Sequence, residues 1–302
     1  MDRIVVVTKP TPLDELVAKH HTEGMVRFVL EQEGEAAEPY FREHAAYAAS
    51  LAEVARQIPS DIPVAYVKRQ DLPHFLFREK DFVVAVGPDG LFANLAQYVA
   101  DQPILGVNPG VFGAGTLMLF KAREVGPILN LAQKGEVNTE SLPLARAEVG
   151  GKVLWGVNDI YIGRKDKVSS RYELSFDGQT ELQSSDGILI STGIGSTGWL
   201  RAVRTMLENL MEEPDTPHLL SESPQASDEE LVFVVMNPFP LAGEVKLVTG
   251  RIVPGVECTV RSRMPRGGYL FSDGIVEKGL EFPAGATAVV SVGERSVQRV
   301  IR

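Results

Sequence analysis

Phe82-Val83-Val84-Ala85-Val86-Gly87-Pro88-Asp89-Gly90-Leu91 is the stretch whose reading decides the fold class. It begins with an unbroken apolar run, passes through a glycine-containing turn, and continues into a segment whose Leu91, Leu95, Tyr98 and Val99 recur at the spacing of one helical face. A continuous apolar run bounded by turn residues reads as a strand buried on both faces, the texture of a parallel sheet. Residues 4–7, 64–67 and 104–107 repeat that texture and end at polar or turn-forming residues. Between them, residues 13–30 and 38–58 are long, rich in Ala, Leu, Glu and Arg, and apolar every third or fourth position, so each reads as a helix. Strand and helix in alternation imply βα crossovers and an open parallel sheet with helices on its faces.

Beyond about residue 142 the texture changes. Tyr172, Leu174 and Phe176 alternate with Arg171, Glu173 and Ser175 at the period of a half-exposed strand, and Asp177-Gly178 reads as a hairpin turn. Further strands are expected at 153–155, 188–191, 231–235, 244–248, 258–261 and 288–292, with a single helix at 199–211 after a glycine-rich turn. Residues 212–230 are acidic and rich in Ser and Pro, and read as a mobile surface loop. The expectation is an α/β domain over residues 1–142 and a mainly β domain over 143–302.

Composition narrows the function classes. With 30 Lys plus Arg against 40 Asp plus Glu, the formal charge of −10 disfavours a sequence-independent grip on nucleic-acid backbones. The 44% hydrophobic and 23% charged content over 302 residues is that of a folded globular chain. Cys258 stands alone, which excludes an intrachain disulfide or a multi-cysteine metal site and fits a reducing, cytoplasmic setting. Met1-Asp2-Arg3 leads into too few apolar residues for an export leader, and no apolar run is long enough to cross a bilayer. His20, His21, His44, His74 and His218 show no metal-ligand spacing, and no G-x-S-x-G elbow is present.

Three turns carry residues suited to chemistry. The Gly87–Gly90 turn lies between a strand and a helix start, where free N–H groups suit phosphate and Asp89 could take a proton from a substrate hydroxyl. Asp89 could also help hold Mg²⁺ against nucleotide phosphates, or be a simple helix N-cap with no catalytic consequence. In the second, Gly193, Gly195 and Gly198 match G-x-G-x-x-G, but the strands around them are not a βαβ unit, which argues against a dehydrogenase fingerprint. Ser196, Thr197 and Trp199 in that turn suit a nucleoside or its phosphates; alternatively Ser196 or Thr197 caps the helix and Trp199 fills the core. In the third, Asn158-Asp159 interrupts apolar sequence, and an amide beside a carboxylate can bind the two hydroxyls of a ribose, or simply form a β-turn.

Taken in order, these turns resemble the NAD kinase family, whose members transfer a phosphoryl group from ATP to the 2′-hydroxyl of the adenosine ribose of NAD. Gly87-Pro88-Asp89-Gly90-Leu91 is similar to the family's GGDGT motif and Asn158-Asp159 to its Asn-Glu pair. Ile194-Gly195-Ser196-Thr197-Gly198-Trp199 is similar to its T-G-S-T-A-Y segment, preceded by Asp186-Gly187. Fainter similarities are Thr8-Lys9-Pro10, Gly106-Val107-Asn108-Pro109-Gly110 and Ser272-Asp273-Gly274. The resemblance implies an α/β N-terminal domain with an open parallel sheet, a mainly β C-terminal domain, and NAD in the cleft between them. It implies Asp89 as general base, Gly87 and Gly90 in the phosphate turn, and Asn158 and Asp159 on a ribose. Asp186, Gly195, Ser196, Thr197, Gly198 and Trp199 would line the dinucleotide site. Mg²⁺ would accompany ATP, and the chain would form a homodimer or homotetramer, with small nucleotides rather than nucleic acid or membrane as partners.

The departures from the family pattern all fall in the site. Pro88 stands for a glycine, removing a backbone N–H, and Leu91 for a hydroxyl-bearing Thr. Asp159 is a methylene shorter than Glu, Ile194 stands where a hydroxyl is usual, and Trp199 replaces Tyr. They fit an altered hydroxyl acceptor, a sugar or a lipid, or a protein that binds nucleotide without turning it over.

Overall fold

Asp81–Val86 is buried along its whole length, as its unbroken apolar sequence requires of a central parallel strand. The computed structural model describes residues 1–110, 115–166, 168–210, 223–241 and 245–302. These form two compact units, residues 1–140 with 297–302, and residues 141–296. The textural division at residue 142 gives no sign that the last six residues rejoin unit 1, because Val297 and Val300 read as more of the strand they extend.

Unit 1 contains β1 (Arg3–Thr8), α1 (Pro12–His20), α2 (Glu23–Gln32), α3 (Glu38–Gln57), β2 (Val64–Lys68), β3 (Asp81–Val86), α4 (Asp89–Ala96), β4 (Ile104–Val107) and α5 (Val125–Lys134). Its strands run parallel in the order β2-β1-β3-β4, with Arg299 pairing Ile104 beside β4. Ile4, Val6, Phe82, Val84 and Leu105 pack against Tyr47 and Val54 of α3 and Val125 and Leu129 of α5. Each such large side chain fully removed from water stabilises by roughly 1.5–3 kcal/mol.

The helix expected over 13–30 is two helices. His21 takes the left-handed conformation (φ 72°) that ends α1, and the Thr22 side chain accepts the Met25 N–H to start α2. Apolar periodicity survives the break because Leu13, Val26 and Leu30 share one small core, and so it conceals the stop.

Unit 2 is mainly β, built from β5 (Thr139–Val149), β6 (Lys152–Gly156), β7 (Asp159–Arg164), β8 (Ser170–Phe176), β9 (Gln179–Ser185), β10 (Gly187–Thr192), α6 (Trp199–Leu210), β11 (Leu231–Met236), β12 (Thr249–Ile252), β13 (Cys258–Ser262), β14 (Gly268–Ser272), β15 (Ile275–Glu281) and β16 (Thr287–Val300). One sheet is six-stranded, in the order β12-β11-β10-β7-β14-β15, with antiparallel neighbours. In the other, β16, β13, β8 and β9 are neighbours and β5 pairs with β16 and β6. Ile160, Ile188, Leu231 and Phe233 of the first pack against Ala145, Tyr172, Leu174 and Val260 of the second, forming one core between them. On the opposite face of the six-stranded sheet, Leu189, Val232 and Val234 are covered by Leu200 and Val203 of α6.

The Asp177-Gly178 hairpin turn forms with both residues at positive φ, as expected. The strand placed at 244–248 lies instead at Thr249–Ile252, while 245–248 form no strand and Glu244 lies outside the described residues. Leu247 is buried without pairing, which its alternating sequence cannot distinguish from a strand. Residues 211–222, with Met211, His218 and most of the expected acidic loop, also lie outside the described residues. The described remainder of that loop is anchored, for Pro224 is buried and its carbonyl accepts the Ser196 hydroxyl.

Candidate functional site

Asp89 is the first helical residue of α4, and its carboxylate does not cap that helix; Pro88 occupies the cap position without a side-chain bond. The carboxylate reaches instead to a neighbouring loop, where Oδ2 accepts the Thr116 N–H at 2.7 Å and Oδ1 the Leu117 and Met118 N–H groups at 3.3 Å each. The N-cap reading of Asp89 is therefore overturned. Glycines make the arrangement possible: a Cβ on Gly115 would overlap the Asp89 carboxyl, and one on Gly106 would strike the Leu117 carbonyl. The carboxyl end of β3 is held in turn by Tyr47, whose hydroxyl donates to the Val86 carbonyl at 2.8 Å.

The backbone of the turn offers less than an all-glycine turn would. The Gly87 N–H is bound to the Val107 carbonyl, the Leu91 N–H to that of Pro88, and Pro88 has none. Asp89 and Gly90 remain with N–H groups unpartnered among the described residues, at the positive end of α4. Leu91, where the family motif has Thr, is 1% exposed and packs under Gly87, so it belongs to the core.

In unit 2 the other two turns interlock. The Thr192 hydroxyl donates to the carbonyls of Val157 and Asn158, at 2.6 and 3.1 Å, and the Thr192 N–H also donates to Asn158. Gly195 lies against the Asn158 carbonyl with no room for a side chain. Ser196 donates to the carbonyls of Gly193 and Pro224, and Thr197 to that of Ile194, so neither caps α6. Ser196 is buried, whereas Thr197, Gly198 and Trp199 are exposed, and the core placement of Trp199 is also overturned.

Asp273, in the turn after β14, ties this cluster together. Its carboxylate accepts the N–H groups of Val157 at 3.1 Å and Asn158 at 2.7 Å, with Asp159 more distant at 3.4 Å. The Asp159 side chain is 7% exposed and has no hydrogen-bond partner among the described residues. Burial, reinforced by the neighbouring Asp273 charge, raises its pKa to about 7. The Asn158 amide is half-buried and likewise unpartnered among the described residues.

From Asp159 the outer face of the sheet continues into aromatic rows. The β pleat puts Tyr161 on the same face as Asp159, and Tyr161 pairs with Phe271 of β14. The Tyr161 and Trp199 rings are stacked at 5.7 Å with 10° between planes, and Phe271 lies 5.1 Å from Tyr161. With Tyr269, Asp186, Lys165 and Met236 they line a cavity of about 390 Å³. Lys165 sits 3.6 Å from the Tyr269 ring centre and pairs with Glu281, and the Asp186 carboxylate is held by the Asn237 amide at 2.7 Å. Such a cavity suits a planar heteroaromatic ring, with aromatic faces for stacking and a carboxylate to orient polar edges.

Asn158, Asp159, Asp186, Gly195, Ser196, Thr197, Gly198 and Trp199 thus all lie in unit 2, while Gly87, Asp89 and Gly90 lie in unit 1. Sequence reasoning did not select Tyr161, Tyr269 or Phe271, though Ile160-Tyr161-Ile162 and Tyr269-Leu270-Phe271 carry the period-two signal that separates a core face from an outer one. Among the described residues, no group of three or more His, Cys, Asp or Glu side chains could hold a metal ion. No helix is long and apolar enough to cross a membrane among the described residues.

No family model matches the chain. It is similar to the NAD kinase of Geotalea daltonii, 30% identical over 178 residues covering 52% of this chain and 58% of that protein. With the NAD kinase of Alcanivorax borkumensis it is 31% identical over 196 residues, covering 59% and 60%. The matched part of the chain thus spans less than two thirds of the length of these curated relatives. Among solved structures, yeast NADH kinase complexed with NADH superimposes with a TM-score of 0.62 at 14% identity, covering 99% of this chain and 83% of that one. An NAD kinase from Archaeoglobus fulgidus in complex with ATP does so with a TM-score of 0.59 at 18% identity, covering 99% and 93%. Over about half of its length the chain is thus similar in sequence to curated NAD kinases, and over 99% of it the chain shares the fold of an NADH kinase and an NAD kinase.

Proposed function

We propose that this chain is an NAD kinase-like phosphotransferase, moving the γ-phosphoryl group of ATP to the 2′-hydroxyl of the adenosine ribose of NAD to give NADP. The observation that carries the reading is the Asp89 carboxylate, held by loop N–H groups at a helix start and freed from the capping role that would make it merely structural. In the reaction the O2′–P bond forms as the bond from Pγ to its bridging oxygen breaks, ADP leaves, and the hydroxyl proton passes to Asp89. The unpartnered N–H groups of Asp89 and Gly90 favour phosphate there. Transfers of this kind depend mainly on positioning and electrostatics, and Mg²⁺ enters with ATP as part of the donor. On the acceptor side, Asn158 and Asp159 meet the nucleoside, and the aromatic face of Tyr161, Trp199 and Phe271 receives a ring of the dinucleotide.

Incubation with ATP, Mg²⁺ and NAD is expected to yield NADP, and Asp89→Asn is expected to lower the rate by about 10²–10⁴-fold, the usual worth of a general base. No NADP above the level of that variant overturns the reading. The family resemblance carries with it a homodimer or homotetramer in a reducing cytoplasm; light scattering of the purified protein tests the assembly.

A further inference from the structure

We propose that Asp159 meets its nucleotide as a neutral carboxylic acid, donating a hydrogen bond to an uncharged acceptor atom such as a carboxamide oxygen or purine nitrogen, and not as a carboxylate that accepts from ribose hydroxyls. The proposal rests on unit 2 being the nucleotide site. It begins from an asymmetry between neighbouring carboxyls. Asp273 is surrounded by donors, the Val157 and Asn158 N–H groups at 3.1 and 2.7 Å, which favour a negative charge on its oxygens. Asp159 is more than nine-tenths buried and receives no hydrogen bond among the described residues. Where two carboxyls are close, the one supplied with donors keeps the charge and the other keeps the proton.

Among the described residues, no cation or hydrogen-bond donor engages the Asp159 carboxyl. β10 places Ser191 opposite it, the turn before it contributes the Asn158 amide, and the turn after β14 contributes Asp273. Asp273 is the ionisable group among these, and it repels a second negative charge. A divalent cation is a poor fit, because backbone N–H groups already point at the Asp273 oxygens. The Asp159 carboxyl makes no hydrogen bond to any acceptor among the described residues. Its row on the sheet runs directly to Tyr161, where a stacked ring would present its edge atoms.

The test is a ¹³C-carboxyl NMR titration of the ligand-free protein together with calorimetric titration of NAD between about pH 5.5 and 8.5, on wild type, Asp159→Asn and Asp159→Ala. Expected is one carboxyl that titrates near neutrality and disappears in both variants. Wild-type NAD affinity should fall about tenfold for each pH unit above that midpoint, as for any ligand that needs the protonated group. Asp159→Asn, a donor with no titrating proton, should bind with an affinity flat from about pH 6 upward. Asp159→Ala should bind about tenfold more weakly than Asp159→Asn, the worth of one hydrogen bond. Carboxyls that all titrate below about pH 5 overturn the proposal. So does wild-type affinity that rises with pH while Asp159→Asn is weak throughout. No NAD binding by any of the proteins at any pH removes the dinucleotide reading and the ligand half of this proposal, while the carboxyl titration still upholds or overturns the proton on Asp159.

Discussion

A buried carboxyl that keeps its proton to about pH 7 leaves a mark on stability as well as on binding. In the unfolded chain Asp159 releases that proton near its ordinary value of 3.8. Between those limits the folded state binds more protons than the unfolded one, so this residue makes stability fall as pH rises from about 4 to about 7 and has no further effect above. Asp159→Asn removes the penalty. The variant is expected to be the more stable at about pH 8, by on the order of 3 kcal/mol, with the advantage gone near pH 4. Urea unfolding of both proteins across that range checks it, and parallel stability curves would refute it. At this scale the sequence was legible only as an order of motifs. It pointed to Asp89 and Asn158-Asp159, but not to the work of Asp273, whose carboxylate reaches 115 residues back to the Asn158 N–H. Spacing along a chain holds no trace of such a contact. Nor could it show that Asp89 leaves α4 uncapped, because its carboxylate is taken up by N–H groups on a loop that begins 27 residues later.

The turns of unit 2 to which nucleotide binding is assigned in the proposed function close on each other, and glycine placement decides how tightly. Gly195 is buried against the Asn158 carbonyl, so a Cβ there collides with backbone that cannot step aside. At Gly198, where the family motif has Ala, a Cβ would meet the Gly195 carbonyl at an ordinary 3.4 Å. Gly195→Ala is therefore expected to cost roughly 1–3 kcal/mol of stability and to weaken NAD binding with it, as overpacking does. Gly198→Ala should change either by no more than about 0.5 kcal/mol. Thermal melts and NAD titrations of the pair settle the matter; equal effects would mean the turns are not interlocked. Element legibility followed the strength of the local pattern. β1, β3, β4 and β11 are continuous apolar runs and were plain, while β15, Ile275-Val276-Glu277-Lys278-Gly279-Leu280-Glu281, is mostly solvent-exposed and carries no buried face to read. The α1–α2 break escaped notice because one capping Thr and one left-handed His leave the apolar period intact.

For the molecule as a whole, each unit has its own core, and the chain's chromophores and thiol are unevenly shared between them. Cys258 and both tryptophans, Trp155 and Trp199, fall within residues 141–296. Cys258 is 0% exposed in the core between the sheets, and burial pushes its thiol up to about 12, so it cannot react with a disulfide reagent until unit 2 opens. The labelling rate in native buffer therefore measures the free energy of opening that unit, which a ligand bound to it must raise. With NAD at about a hundred times its Kd, the stabilisation of about 2.7 kcal/mol should slow Cys258 labelling about a hundredfold. Trp fluorescence, sensing the same unit, should shift its denaturation midpoint in step. An unchanged labelling rate under saturating NAD would mean that unit 2 does not hold the dinucleotide, and the roles given to Asn158, Asp159 and Trp199 would fall together. Asp89, which belongs to the other unit and whose test is NADP formation, would then have to be judged by itself.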